Sequence, residues 1–304
     1  MKPLPGNPRI AVIILTINQR EQTLRCLELL QRSRSTGSSF SITVWDNGSS
    51  DGTPAAIRAS DSSVTVLNSA TNLGVAGGRN AAAKAVIERE SPDLLLFLDN
   101  DMAVEADFVS ALAKPFSGES GANIGQTQAK LLLSDQPGLI NDGGGCNIQF
   151  WLGRTRPVGY GEPDRGQFDD ETRCMACCGG AMAVRADLFT SLAGFDEQFN
   201  PFGPEDIDFS LRLQKLGFEA WYIPSAAAYH DVNHTIGATY SEEYAASRSR
   251  HWLRLMRRHA SALDWLGFIF VGIPAISIRV LLRERGKSSL RVLRGLFAGV
   301  LGRK

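Results

Sequence analysis

Four short apolar runs separated by helical patterns fill the first hundred residues and leave few architectures open. IAVIILTI (10–17), SITVWDN (41–47), SVTVLNS (63–69) and LLLFLDN (94–100) read as strands. Between them, Arg20–Arg32 places Leu24, Leu27 and Leu30 on one helical face, and Pro54–Ala59 and Ala81–Glu90 read as two further helices. Strand and helix alternating at this spacing predict βαβ units and a parallel sheet. Ligands of such sheets sit beyond the carboxyl ends of the strands. Thr16, Asp46 and Asp99 stand at three of those ends, which puts them around one crevice.

The fourth run ends in two acids, Asp99 and Asp101 of LLLFLDNDM (94–102). A carboxylate inside an apolar strand would be unpaired and costly. At the strand's exit, acids at i and i+2 can jointly attract an oxygen-preferring cation, Mg2+ or Mn2+, with positions left open for phosphate oxygens. Taken alone, an Asp-x-Asp suits loop solvation or helix capping at least as well. Two other strand ends carry companion signals. In WDNGSSDGT (45–53), Asp46 either accepts from the imide N–H of a uracil- or thymine-type base or closes an Asx-turn. In NLGVAGGRN (72–80), Gly74, Gly77 and Gly78 either let the backbone approach a ligand or permit close helix–strand packing, while Arg79 offers a fixed cation for phosphate. No GxGxxG follows the first strand; TINQRE (16–21) stands there, so this is not the dinucleotide fingerprint.

Residues 121–173 are less regular and read as strands joined by long loops over the crevice mouth, with Trp151 a candidate acceptor contact. CCGGAMAVRADLF (177–189) reads as a strand running into a helix. PEDIDFSLRLQKLG (204–217) is an amphipathic helix stopped by Gly217, and Glu205-Asp206 in its first turn suits capping as well as chemistry. Five cysteines, three of them within Cys174–Cys178, do not form a secreted disulfide framework; buried thiols explain them better than zinc. The N-terminal apolar run has no cleavage site after it, and a cytosolic protein is expected.

Net charge is zero but uneven: residues 251–304 hold eleven Lys/Arg against two Asp/Glu. WLGFIFVGIPAISI (265–278) is fourteen uncharged residues, short of the ~20 needed to cross a bilayer. Residues beyond it interleave aliphatics with Arg and Lys, the pattern of a helix lying in a membrane surface; docking against the body is the alternative. Nucleic acid is excluded as partner, because these cations alternate with long aliphatics rather than stacking aromatics.

Seven segments occur in an order that resembles family 2 glycosyltransferases of the GT-A fold: LTINQRE (15–21), WDNGSSDGT, NLGVAGGRNAAAKA (72–85), FLDNDM (97–102), GGAMAVRADLF (179–189), GFDEQF (194–199) and PEDIDFSLRLQKLG. Within that family the chain is most similar to the rhamnosyltransferase-like group. The resemblance implies an inverting, nucleotide-sugar-dependent enzyme on a Rossmann-like, doubly wound mixed sheet. It assigns Thr16 and Asp46 to the base, Gly74 and Arg79 to the donor near its diphosphate, Asp99 to ribose or metal, Asp101 to a divalent metal (Mn2+ or Mg2+), and Asp206 to the general base. Asp208, two positions on, points elsewhere. His230, or His234 in the same YHDVNHT segment, is expected as a further metal ligand, and Gly180 and Glu205 join Trp151 on the acceptor side. The Gln-x-x-Arg-Trp motif of processive synthases is absent; Arg248–Trp252 is a partial echo, so one sugar is added per encounter.

The chain is therefore expected to comprise a catalytic domain over 1–255 and a helical tail over 256–304. It would move one sugar from a UDP- or dTDP-type donor to a glycan or polyprenyl-linked glycan, at the inner face of the cell membrane through residues 261–304. A nucleotidyltransferase is the rival enzyme, but it would show a glycine-rich basic loop where TINQRE stands and would have no use for Glu205-Asp206. A non-catalytic binding protein on the same fold is disfavoured by the intact Asp99, Asp101 and Asp206.

Overall fold

A computed structural model describes residues 4–33, 39–136, 138–232 and 242–283. His234 and residues 284–304, both named above, lie outside the described residues. In chain order the first elements are β1 (Ile10–Thr16), α1 (Arg20–Ser33), β2 (Phe40–Asp46), α2 (Thr53–Ser60), β3 (Thr65–Asn68), α3 (Gly74–Glu90) and β4 (Leu94–Asp99). There follow β5 (Met102–Val104), α4 (Phe108–Ala113), β6 (Ile124–Leu133), β7 (Ile140–Asp142), β8 (Cys146–Gln149), β9 (Arg154–Pro157) and β10 (Thr172–Arg173). The chain continues through β11 (Ala181–Arg185), α5 (Ala186–Ser191), α6 (Glu205–Lys215) and β12 (Glu219–His230). Last come α7 (Glu242–His259), α8 (Ala262–Gly267), a π-turn (Phe268–Gly272) and α9 (Ile273–Arg283).

The central sheet runs in the order β10-β12-β6-β11-β4-β1-β2-β3, with β5 added on β12 and β7 on β6. The first four strands are parallel, as expected. The sheet as a whole is mixed, because β11 inserts antiparallel between β4 and β6. Alternate residues of one strand feed two separate cores. Ile10, Val12 and Ile14 pack with Leu27, Ile57 and Phe108, whereas Ala11 and Ile13 pack with Val86, Phe189 and Phe209. Helices α1, α2 and α4 thus cover one face and α3, α5 and α6 the other, which is why β1 and β4 are apolar without interruption.

The structure corrects two readings of the sequence. The first is β6, a fully buried ten-residue strand next to β11 in the middle of the sheet, where the sequence suggested strands and long loops over the crevice mouth. Its IGQTQAKLLL pattern hides the strand behind Gln126, Thr127, Gln128 and Lys130. Each is buried but hydrogen-bonded: Gln126 Oε1 accepts from Ser210, Thr127 donates to the Leu112 carbonyl, and Lys130 pairs with Asp164 and Asp169 at 2.7 Å each. The second concerns α3, which begins at Gly74 rather than near Ala81. Leu73 at its N-cap supplies no side-chain cap. Instead Asn200 reaches in, its Oδ1 accepting from Ala76 N at 3.1 Å and its Nδ2 donating to the Leu73 carbonyl at 2.8 Å. A remote side chain thereby satisfies the Ala76 amide, one of the N–H groups that a helix start leaves unpaired.

The described residues fall into two compact units, one drawn from Met1–Cys146, Pro157–Pro201 and Glu205–Val232, the other from Asn147–Arg156, Phe202–Pro204 and Asn233–Lys304. The first holds the sheet and its two cores. In the second, the Phe150 ring packs against Trp252 at 5.7 Å, tilted by 43°, and His251 Nδ1 meets the Phe202 carbonyl at 3.1 Å. Among the described residues no helix is long and apolar enough to cross a membrane.

Candidate active site

β2, β1 and β4 are neighbours in the sheet, so Asp46, Thr16 and Asp99 end side by side; Thr16 pairs with Asp46, and Leu15 with Asp99. The three ends differ in what their side chains do. Thr16 is buried in a polar knot: its hydroxyl lies 2.8 Å from that of Thr23 and accepts from Asn100 Nδ2 at 3.3 Å. Asp46 is buried too and closes its own turn, accepting from the Ser49 amide at 3.0 Å and from the Ser49 hydroxyl. This is the Asx-turn arrangement. Asn47, which the sequence reading passed over, ties that turn to the start of α3 through the Gly74 carbonyl at 3.0 Å and the Leu73 amide at 3.1 Å.

The glycines of α3 are packing residues. A Cβ on Gly78 would stand 2.6 Å from Leu15 Cδ1 on β1, and one on Gly74, whose φ is +77°, would stand 2.4 Å from Asn200 Oδ1. The close approach lets α3 carry Arg79 into the site. Its guanidinium is buried against the Phe195 ring, 5.9 Å from the centroid. Nη2 donates to Asp99 Oδ1 at 2.6 Å and Nη1 to Glu205 Oε1 at 3.3 Å. Burial alone would favour the neutral form, but Asp99, Glu205 and Asp206 outweigh it and hold Arg79 above its ordinary value. Arg79 therefore meets two carboxylates, where the sequence reading had it meet the donor's diphosphate.

Asp206 lies in the first turn of α6, beside Glu205. Its Oδ2 accepts from the Gly179 amide at 2.8 Å and its Oδ1 from Ile207 at 2.7 Å. Burial pushes this carboxyl up, opposed by the Gly179 amide and by Arg79. Gly179 has no room for a side chain: a Cβ there would stand 2.5 Å from Arg79 Nη1 and 3.2 Å from Asp206 Cβ. Gly180 accepts from the Asp99 amide at 2.8 Å, and a Cβ on it would stand 2.9 Å from Asp99 Oδ2. Asp208, as expected, points elsewhere; it is fully buried and pairs with Arg212 at 2.7 Å.

Asp101 and His230 come together at the other end of the motif. The terminal residue of β12 places Nε2 3.5 Å from Asp101 Oδ2, and the Asp231 amide donates to the Asp101 carbonyl at 3.1 Å. Asn141 Oδ1 sits 3.1 Å from His230 Nδ1, on the side of the ring away from the Asp101 carboxylate. Burial lowers the affinity of His230 for a second proton, yet Asp101 and Asp99 outweigh it and raise it above the usual histidine value. An oxygen and an imidazole nitrogen at this separation fit a hard divalent ion such as Mn2+ or Mg2+. Among the described residues no group of three or more His, Cys, Asp or Glu side chains is placed to hold a metal ion.

Asp142 is a carboxylate the sequence reading missed. It ends β7, is buried, and accepts from the Gly144 and Gly145 amides at 3.1 and 2.7 Å. Burial pushes it up to about 6, the two glycine amides resist, and the charge of Asp206 adds to the rise. The signal was the acid before three glycines in NDGGG (141–145). Trp151 belongs to the second unit. All five cysteines are free thiols, with Cys174 and Cys177 Sγ atoms 3.6 Å apart.

Three kinds of comparison bear on this geometry. The model of glycosyl transferase family 2 matches residues 11–189, and one described as the N-terminal domain of galactosyltransferase matches 166–235. An N-acetylglucosaminyl-diphospho-decaprenol L-rhamnosyltransferase of Mycobacterium tuberculosis is 26% identical, over 76% of this chain and 80% of its own length. An N-acetylglucosaminyltransferase of Bradyrhizobium diazoefficiens is 28% identical over 80% of this chain, which spans only 49% of that protein. Among solved structures, a mannosyltransferase of Pyrobaculum calidifontis in complex with GDP-Man and Mn2+ superposes with a TM-score of 0.60 at 12% identity, covering 100% of this chain and 90% of that one. Its mixed α/β sheet is the GT-A sheet.

Proposed function

This chain belongs to glycosyl transferase family 2, and from that premise we propose that it is an inverting enzyme in which Asp206 is the general base. It is a glycosyltransferase that moves a sugar from a nucleotide sugar. One observation carries the finer reading. Arg79 grips Asp99 at the exit of β4 with one terminal nitrogen and Glu205 with the other, and so draws the two acidic motifs, far apart in sequence, to one locus.

The residues then divide the work. Burial raises the Asp206 carboxyl above its ordinary value, which makes it a stronger base. It takes the proton of an acceptor hydroxyl as that oxygen attacks the anomeric carbon opposite the leaving nucleotide. The Gly179 amide and Ile207 amide fix the plane of its carboxylate. Asp99, whose side chain is 36% exposed while Arg79 is buried, presents its free edge to the donor. Asp101 and His230 would hold the divalent ion, with Asp99 beside them; when bound, such an ion neutralises charge on the departing diphosphate. Thr16 and Asp46 stand at the base end of the crevice, where Asp46 holds the turn closed on Ser49 and so shapes the place of a pyrimidine base.

The rhamnosyltransferase relative is named for an acceptor that is a decaprenyl-diphosphate-linked N-acetylglucosamine. We assign this chain a polyprenyl-linked glycan acceptor of the same chemistry. Residues 1–255 would form the catalytic domain and 256–304 a tail that works at the cytoplasmic face of a membrane. The experiment is transfer from UDP- and dTDP-sugars to polyprenyl-diphosphate-linked N-acetylglucosamine, with and without Mn2+. A product that forms only with donor, acceptor and metal together supports the reading; donor turnover indifferent to EDTA removes its metal.

A further inference from the structure

The helical stretch α8–π-turn–α9 wears its side chains inside out. Its inward face is lined by glycines: a Cβ on Gly267 would stand 2.7 Å from Trp151 Cβ, and one on Gly272 would stand 2.8 Å from the Trp151 carbonyl oxygen. Phe268 is buried between them, so close to Gly153 that a Cβ there would meet its ring at 2.6 Å. The large apolar residues face out. Leu263, Leu266, Phe270 and Ile278 are 78, 52, 74 and 57% exposed. Steps of three, four and eight keep them on one stripe of a helix, with exposed Pro274 in the gap. No charged residue lies between Trp265 and Ile278. A helix meeting only water buries its large apolar residues and exposes its polar ones; a contiguous stripe of the opposite kind marks a surface that something covers.

The flanking charge selects the occupant. Arg250, Arg257 and Arg258 on α7 are exposed, and residues 251–304 carry eleven basic against two acidic side chains. A second copy of the chain would bring these like charges together. An anionic bilayer attracts them, at about 1 kcal/mol per Lys or Arg near the surface by the general rule, and accepts an uncharged apolar stripe at its acyl boundary. We propose that the Leu263–Leu266–Phe270–Ile278 ridge seats in the interface of an anionic lipid bilayer, with Arg257 and Arg258 among the headgroups. The proposal deepens the membrane part of the reading above and rests on it for the lipid-linked acceptor, but the ridge itself is an independent observation.

The test is co-sedimentation of the full chain with vesicles of phosphatidylglycerol and phosphatidylcholine, against phosphatidylcholine alone. The wild type partitions onto the anionic vesicles, and the pair Leu266→Asp and Phe270→Asp weakens that partition at least tenfold. The milder Phe270→Ser gives an intermediate loss, and Leu216→Asp, at an exposed leucine of the first unit, gives none. Thermal melting and nucleotide-sugar hydrolysis in vesicle-free buffer stay at wild-type values in all of them. Ridge variants that sediment like the wild type overturn the proposal, as does a wild type that binds neither vesicle. Ridge variants that split a wild-type dimer while vesicle binding persists assign the stripe to a second copy. Absence of donor hydrolysis in every protein, with lipid binding intact, would sink the catalytic reading and leave the ridge standing.

Discussion

Arg79 and Asp99 form a 2.6 Å ion pair in which the arginine is buried and the carboxylate is partly exposed. The asymmetry decides what each can do. Arg79 spends both terminal nitrogens on protein carboxylates, Asp99 and Glu205. Asp99 gives one oxygen to the pair and retains an open side for a ligand. Arg79 is thus placed to position the two acids, and Asp99 is the more exposed member of the pair.

Removing that guanidinium takes an ion-pair partner from the buried Glu205, and breaking one side of a buried pair typically costs about 3–5 kcal/mol. Arg79→Met is expected to lower unfolding free energy by about 3 kcal/mol in urea titrations. Arg79→Met with Glu205→Gln recovers part of the loss, because the buried Glu205 charge is removed together with its partner. Arg79→Lys does not substitute, since an ammonium lacks the planar fork that spans both acids.

The cap that Asn200 places on α3 is testable in isolation. Asn200→Ala removes the acceptor for the Ala76 amide, and loss of such a cap costs about 1 kcal/mol. A fall of a few degrees in Tm, with donor binding weakened because α3 carries Arg79, is the expected result of calorimetry and titration together.

Asp142 makes stability depend on pH. Its folded value of about 6 lies above the ordinary 3.8, so the folded state holds this proton more tightly than the unfolded chain does. The contribution is fully present below about pH 4 and is lost as pH rises through 6, by about 2–3 kcal/mol in all. Asp142→Asn keeps an acceptor for the Gly144 and Gly145 amides without the charge. It should match the wild type near pH 4 and exceed its stability at pH 8 in denaturant titrations.

Metal affinity should depend on Asp101, in the turn after β4, and His230, the last residue of β12. Asp101→Asn and His230→Ala are each expected to weaken Mn2+ binding at least tenfold by calorimetric titration. Asp208→Asn, whose carboxylate is committed to Arg212, should leave it within about twofold.

Much of this was legible in the chain. The four parallel strands and their terminal residues follow from apolar runs of the right length, and the helix with Glu205 and Asp206 in its first turn follows from its period and from Gly217. β6 was not legible, because a buried strand written Gln-Thr-Gln-Ala-Lys carries no hydrophobic signal until its partners Ser210, Asp164 and Asp169 are in place. The true start of α3 was hidden for a related reason: its cap comes from Asn200, 127 residues away from the Leu73 carbonyl it binds. Local propensity read NLGVAGG as a loop, and a distant side chain made it helix. The role of Arg79 turned on the same kind of fact, since only the fold reveals which anions reach a guanidinium.

The most direct measurement compares Asp206→Asn with the wild type in donor binding and in sugar transfer to polyprenyl-diphosphate-linked N-acetylglucosamine. The amide oxygen still accepts from the Gly179 amide, so the loop and the donor site are retained while the base is gone. The account predicts donor affinity within about threefold and transfer reduced at least a hundredfold, the usual scale of a lost general base. Transfer within tenfold of the wild type, at equal donor affinity, would contradict it.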